Sequence, residues 1–115
     1  MIQAAVRGQG TGMHVRIATF EVDPVRLAAV VEHFRVEAIR VFSAYEGFLG
    51  YQAFTDPGRG RMVGMSRWRS LAELEASSEA GRGIIRGAID LGAVMIGEPQ
   101  VLEQVFDVGP ESRRI

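Results

Sequence analysis

Between Asp23 and Gly47 the chain carries its most constraining local signal. Leu27, Val30, Val31, Phe34, Ala38, Val41, Phe42 and Tyr45 recur at the spacing of one helical face. Arg26, Glu32, Arg35, Glu37 and Arg40 take much of the remainder. Asp23 before Pro24 reads as an N-cap with proline at the first helical position. Gly47 after Glu46 suits the left-handed residue that follows a helix. A helix with one apolar stripe must lay that stripe on another apolar layer. Its neighbours therefore decide the fold.

Those neighbours read as strands. His14–Val22 (HVRIATFEV) sends Val15 and Ile17 to one side and Ala18, Phe20 and Val22 to the other. Apolar groups on both sides predict a strand covered on both faces. Phe48–Thr55 is a second strand, Asp56–Gly60 (DPGRG) a turn, and Arg61–Arg69 the hairpin partner. One face of that partner carries Met62, Gly64, Ser66 and Trp68. The other carries Arg61, Val63, Met65, Arg67 and Arg69.

Ser70 to Glu73 has capping-box spacing, serine hydroxyl to the Glu73 amide and glutamate back to the cap amide, and starts a second helix. Gly81, Gly83 and Gly87 weaken it, which predicts a break or kink around Ser78–Gly83 and a second piece from Ile84 to about Met95. The small residues there let the helix bend and open a cavity beside the sheet. After Gly97-Glu98-Pro99, Gln100–Val108 is the last strand. The order βαββαβ predicts an α+β, ferredoxin-like fold: a four-stranded antiparallel sheet with two helices on one face. The helix-free face also bears apolar groups, which predicts a homodimer that buries it. Residues 13–108 form this one domain, with 1–12 a flexible leader and 109–115 a short tail.

Composition removes much chemistry. Thirteen basic and 14 acidic residues give a net charge of −1, which offers no footprint for nucleic acid or an anionic membrane. Without cysteine there is no disulfide, thiolate nucleophile or Cys-based metal site. Every basic residue is arginine, so no lysine can serve as Schiff base or general base, and there is no asparagine to orient a substrate oxygen. The two histidines, His14 and His33, lack a third ligand at matching spacing, so no metal is expected. No apolar run approaches the ~20 residues of a membrane span, and none resembles a signal peptide, so a cytoplasmic location is expected.

Two stretches carry a family resemblance. YEGFLGYQ (Tyr45–Gln52) makes a glycine-aromatic-x-glycine step into strand two, and MSRWRSLAELEA (Met65–Ala76) ends strand three on tryptophan before serine and the second helix. Over Met13–Val108 the chain resembles the antibiotic-biosynthesis-monooxygenase-like domains of the dimeric α/β-barrel superfamily. The resemblance implies a dimeric α/β barrel with a pocket between each sheet and its helices. It also implies oxidation of an aromatic, quinol or polyketide-type small molecule by O2 without metal or flavin, the deprotonated substrate itself giving the electron. Quinone-forming relatives use an asparagine with a tryptophan and a tyrosine. This chain offers Trp68 but no asparagine, and Gly64 stands where a donor would help. Haem-degrading relatives use an asparagine on strand one with a tryptophan and a histidine on helix two. The matching stretches here read Arg16–Thr19, Ser77 and Gly87, so haem is not expected as a cofactor. The alternative is a non-catalytic small-molecule-binding or structural dimer. A third reading, a polyketide cyclase or isomerase, finds only His33, Glu79 and Asp90 as loose acid–base candidates.

The pocket candidates are Trp68, Tyr45, His33, Phe34, Arg86, Tyr51 and Arg16. Trp68 floors an aromatic pocket or packs between sheet and helix, with packing favoured. His33 borders the stripe through Phe34 and reads as a half-exposed surface histidine. Tyr45 and Tyr51 flank the glycine step, as pocket-mouth hydroxyls or core caps. Arg16, Arg67 and Arg69 stand on strands, where an arginine either holds a phenolate or carboxylate or bridges the dimer seam to Glu103 or Glu21. Arg86 is a second anion-holding candidate.

Overall fold

The computed structural model describes residues 12–110. Apart from Gly12, the expected leader lies outside them, as does the tail beyond Pro110. Strand β1 (His14–Glu21) runs through the middle of an open antiparallel sheet. On one side it pairs with β3 (Arg61–Trp68), which pairs in turn with β2 (Phe48–Asp56). On the other side two short strands lie end to end, β4 (Val94–Met95) opposite Phe20 and Glu21, and β5 (Gln100–Glu103) opposite His14–Ile17. Together β4 and β5 fill the place of the fourth ferredoxin-like strand.

The last strand is therefore shorter than Gln100–Val108. Glu103 pairs with His14, the first residue of β1, and the Gln104 amide donates to the Met13 carbonyl (2.9 Å). Among the described residues, only Gly12 (φ +77°) precedes Met13. Val105, Phe106 and Val108 run on as exposed apolar side chains.

Helix α1 (Pro24–Glu37) starts as its sequence dictates, the Asp23 carboxylate accepting from the Val25 amide (3.0 Å). It does not continue regularly to Gly47. At Ala38 it widens into a π-helical turn, Ala38–Phe42. Phe34, Ala38 and Phe42 are spaced by fours, and four residues overshoot a 3.6-residue turn. The wider turn takes up that overshoot and keeps all three buried under the sheet.

The second helical region breaks, but at Ser77 rather than at the glycines. Helix α2 (Leu71–Ala76) ends where the buried Ser77 hydroxyl donates to the Leu74 carbonyl (2.7 Å). Helix α3 (Ser78–Asp90) then runs unbroken through Gly81, Gly83 and Gly87. Gly81 and Gly87 permit close approach instead of bending. A Cβ at Gly81 would lie 3.1 Å from Arg16 Nη1, and one at Gly87 would lie 2.5 Å from His33 Cε1. The helix stops at Asp90, short of Met95, because Gly92 (φ +107°) turns the chain towards β4. Ser70 caps α2 by accepting from the Glu73 amide (3.2 Å). The Glu73 carboxylate does not complete the expected box; it accepts from the Ser70 hydroxyl (3.0 Å) and pairs with Arg69.

The helices cover one face of the sheet. Phe20, Met62 and Trp68 meet Val30, Phe34 and Leu74 there, all essentially buried. Phe54, Leu49 and Leu102 stay exposed, and Val15, Ile17, Val63 and Met65, on the opposite face of the sheet, only half-buried.

Candidate functional site

Arg16 leaves β1 on the helix-covered face and ends beneath the joint between α2 and α3. Its Nη2 donates to the Leu74 carbonyl (2.8 Å) and to the Ser78 and Ser77 hydroxyls (3.0 and 3.3 Å). The Leu74 carbonyl, at the end of α2, also accepts from the Ser77 amide (3.1 Å) and hydroxyl (2.7 Å), and the other two acceptors are serine hydroxyls. Nη1, in contrast, is buried and has no hydrogen-bond partner among the described residues. Burial, and then the charge of Arg82, pulls the guanidinium pKa below its ordinary value. Arginine stays charged even so. A buried donor without a partner costs about 1–3 kcal/mol, and such a group calls for an explanation.

Beside Nη1 lies a void between sheet and helices. Ala18, Gly64 and Ser66 form the sheet side; Phe34, Phe42, Ile84 and Ile85 form the helix side. Gly81 opens it, since a side chain there would press on Arg16 Nη1 (3.1 Å) and come into contact with Phe42 (3.7 Å). The space open to the centre of a water-sized sphere is about 30 Å³. That is room for one or two waters, so an aromatic ring enters only if a wall moves.

Tyr51 reaches across from β2 into the room that glycine leaves at position 64: a Cβ on Gly64 would overlap the Tyr51 hydroxyl. Its ring stacks on Phe34 (centroids 6.2 Å apart, planes within 9°) and leans on Phe42 (6.5 Å). Burial pushes the phenol pKa well above its ordinary value. The hydroxyl therefore stays protonated and is a donor, not a base. It makes no hydrogen bond to another described residue.

Of the residues singled out from sequence, Arg16, Phe34 and Tyr51 meet at this void, and the other four lie elsewhere. Trp68 is fully buried, its indole N–H donates to Ser66 Oγ (2.9 Å), and Phe42, Phe48 and Tyr45 surround its ring. Tyr45 is thus a half-buried cap on that cluster. His33 is half-exposed as expected, and its Nε2 donates to the Ile84 carbonyl (2.8 Å), clipping α1 to α3. Arg86 is exposed on the outer side of α3. Arg69 pairs with Glu73 in its own chain rather than with Glu103 or Glu21. Glu79 is exposed and paired with Arg82, and Asp90 is exposed at the end of α3, so neither reaches the void. Gly81, Ile84 and Ile85 were not legible as site residues. Only the cluster of small residues hinted at space beside the sheet.

Among the described residues no group of three His, Asp or Glu side chains converges as a metal site. None of the described helices is long and apolar enough to cross a membrane.

Residues 13–81 match the family model described as antibiotic biosynthesis monooxygenase. No curated protein matches. Among solved structures, a conserved protein of unknown function from Bacteroides thetaiotaomicron superposes with a TM-score of 0.65 at 15% identity, over 82% of this chain and 99% of that one. SnoaB, a cofactor-independent oxygenase from Streptomyces nogalater, gives 0.60 at 16% identity over 86% and 98%. The heme-degrader MhuD from Mycobacterium tuberculosis, with two hemes bound in its active site, gives 0.61 at 24% identity over 84% and 99%. At these identities the likeness is one of fold.

Proposed function

The chain belongs to the antibiotic biosynthesis monooxygenase family, and from that premise we propose a cytoplasmic, cofactor-independent oxygenase acting on an aromatic, quinol or polyketide-type small molecule. The observation that carries the reading is the buried Nη1 of Arg16, without a hydrogen-bond partner among the described residues, beside an aromatic-walled void. A phenolate or enolate oxygen placed there satisfies the guanidinium, and the guanidinium in turn favours the ionised substrate. The ionised ring gives an electron to O2 and the pair combine at carbon. Loss of water then leaves a carbonyl, so a CH2 group and O2 become C=O and H2O with no external reductant. The Tyr51 hydroxyl is a second donor to the developing oxyanion. Exclusion of water by Phe34, Phe42 and Ile84 protects the intermediate.

A haem does not fit this set of donors. The void presents no imidazole, since His33 is engaged with the Ile84 carbonyl, and burial keeps Tyr51 protonated.

The same reading has two copies joined through the helix-free face, where Phe54 and Leu102 are exposed. Sedimentation as a dimer at micromolar concentration is expected; a monomer contradicts it. The absence of a base among the void residues favours one further reading, a binding dimer without catalysis. Oxygen uptake with a panel of anthrones and quinols, with and without chelator, decides. Uptake that chelation leaves unchanged supports the oxygenase, and ligand binding without uptake supports the binder.

A further inference from the structure

Helix α3 presents two different faces. Gly81, Ile84 and Ala88 are buried against the sheet and α1. Arg82, Arg86 and Ile89 face an outer groove that is closed on its far side by Met95, Glu98 and Pro99. Ile85 sits at the border and lines both the inner void and this groove. The groove is wide, about 330 Å³ in the same measure.

We propose that the outer groove is the second half of the ligand site: it holds an acidic group at the far end of the flat molecule whose oxyanion meets Arg16, and Ile85 is the side chain that yields between them. This rests on the aromatic-ligand reading of the void. Three arginines surround the Ile85 wall, and the charge of Arg82 already bears on buried Arg16. Glu79 pairs with Arg82 at an exposed site and also feels the charge of Arg86, which itself forms no ion pair among the described residues. The repulsion between Arg82 and buried Arg16 is relieved by an anion lying between them. Glu98, on the opposite rim, turns that anion towards α3. The apolar Ile85, Ile89 and Met95 supply the floor for a ring or chain connecting the two ends. The ligand class is a planar phenol or enol carrying a carboxylate or a second ionised hydroxyl.

The test uses two probes that differ only in the distal acid, 6-hydroxy-2-naphthoate and 2-naphthol, titrated calorimetrically into the full chain. Wild type is expected to bind the naphthoate roughly tenfold more tightly. Arg82→Gln with Arg86→Gln, both exposed positions, abolishes that preference and leaves 2-naphthol affinity unchanged. Ile85→Ala speeds association of both probes several-fold and keeps the preference. A preference that survives the double substitution, or no preference in wild type, overturns the groove proposal. In either case 2-naphthol binding that is lost with Arg16→Met leaves the void reading intact. If neither probe binds wild type, both readings fall.

Discussion

The helix-covered face of β3 is solid at one end and hollow in the middle, and both regions rest on alternate residues of one strand. Trp68 closes the solid end: its ring meets three aromatic neighbours, and its single donor is spent on Ser66. Two residues beyond Ser66, Gly64 contributes no side chain, and the space is shared by Tyr51 and an Arg16 nitrogen that has no hydrogen-bond partner among the described residues. The aromatic content of the two regions is alike. What separates them is whether the polar atoms are spent. A satisfied polar atom in a filled site belongs to the fold, and an unsatisfied one beside empty space points to a ligand.

The comparison is tested most severely at its solid end. Trp68→Ala should cost about 3–5 kcal/mol in chemical denaturation, because a fully buried ring leaves a cavity among rigid neighbours. A loss under about 1 kcal/mol would mean that this end is not packed as described. Next comes Gly64→Ala, expected to cost about 1–3 kcal/mol by forcing the Tyr51 hydroxyl aside. Tyr51→Phe alone should be nearly neutral, because that hydroxyl bonds to no described residue, and it should recover part of the Gly64→Ala loss in a double-mutant cycle. Strict additivity would place Tyr51 elsewhere. Arg16→Met should cost about 1–2 kcal/mol, since bonds to Leu74 and the serines disappear together with the orphaned donor. Anion binding should fall far more than stability does.

The smallest effect is alkaline. The folded-state pKa of Tyr51 lies above that of the unfolded phenol, about 10. The unfolded chain therefore loses this proton first, and stability falls as pH rises past about 10 towards the folded value. Denaturation midpoints against pH should show that decline in wild type and a shallower one in Tyr51→Phe. Equal slopes would remove the burial argument for Tyr51.

Most of the architecture is written locally. Alternation in His14–Val22, the Asp23-Pro24 start and the Ser70 cap depend on nearest neighbours, and each element formed where its residues placed it. The errors fall where distant contacts decide. Whether a glycine bends a helix or admits a neighbour depends on what stands opposite, and Arg16 and His33 stand opposite Gly81 and Gly87. The last strand ended early because its partner had ended. At the site, Arg16, Phe34 and Tyr51 were legible from residue type and strand or helix face. Ile85 was not, since nothing local distinguishes a wall residue from any other isoleucine.

The central claim is that Arg16 holds an aromatic oxyanion in the void, and the absorbance of 2-naphthol reads this directly. At a pH below that at which the free naphthol ionises, adding wild-type protein should raise the naphtholate band, and Arg16→Met should not. Binding of neutral naphthol with no naphtholate band, or a band that Arg16→Met preserves, would contradict the account.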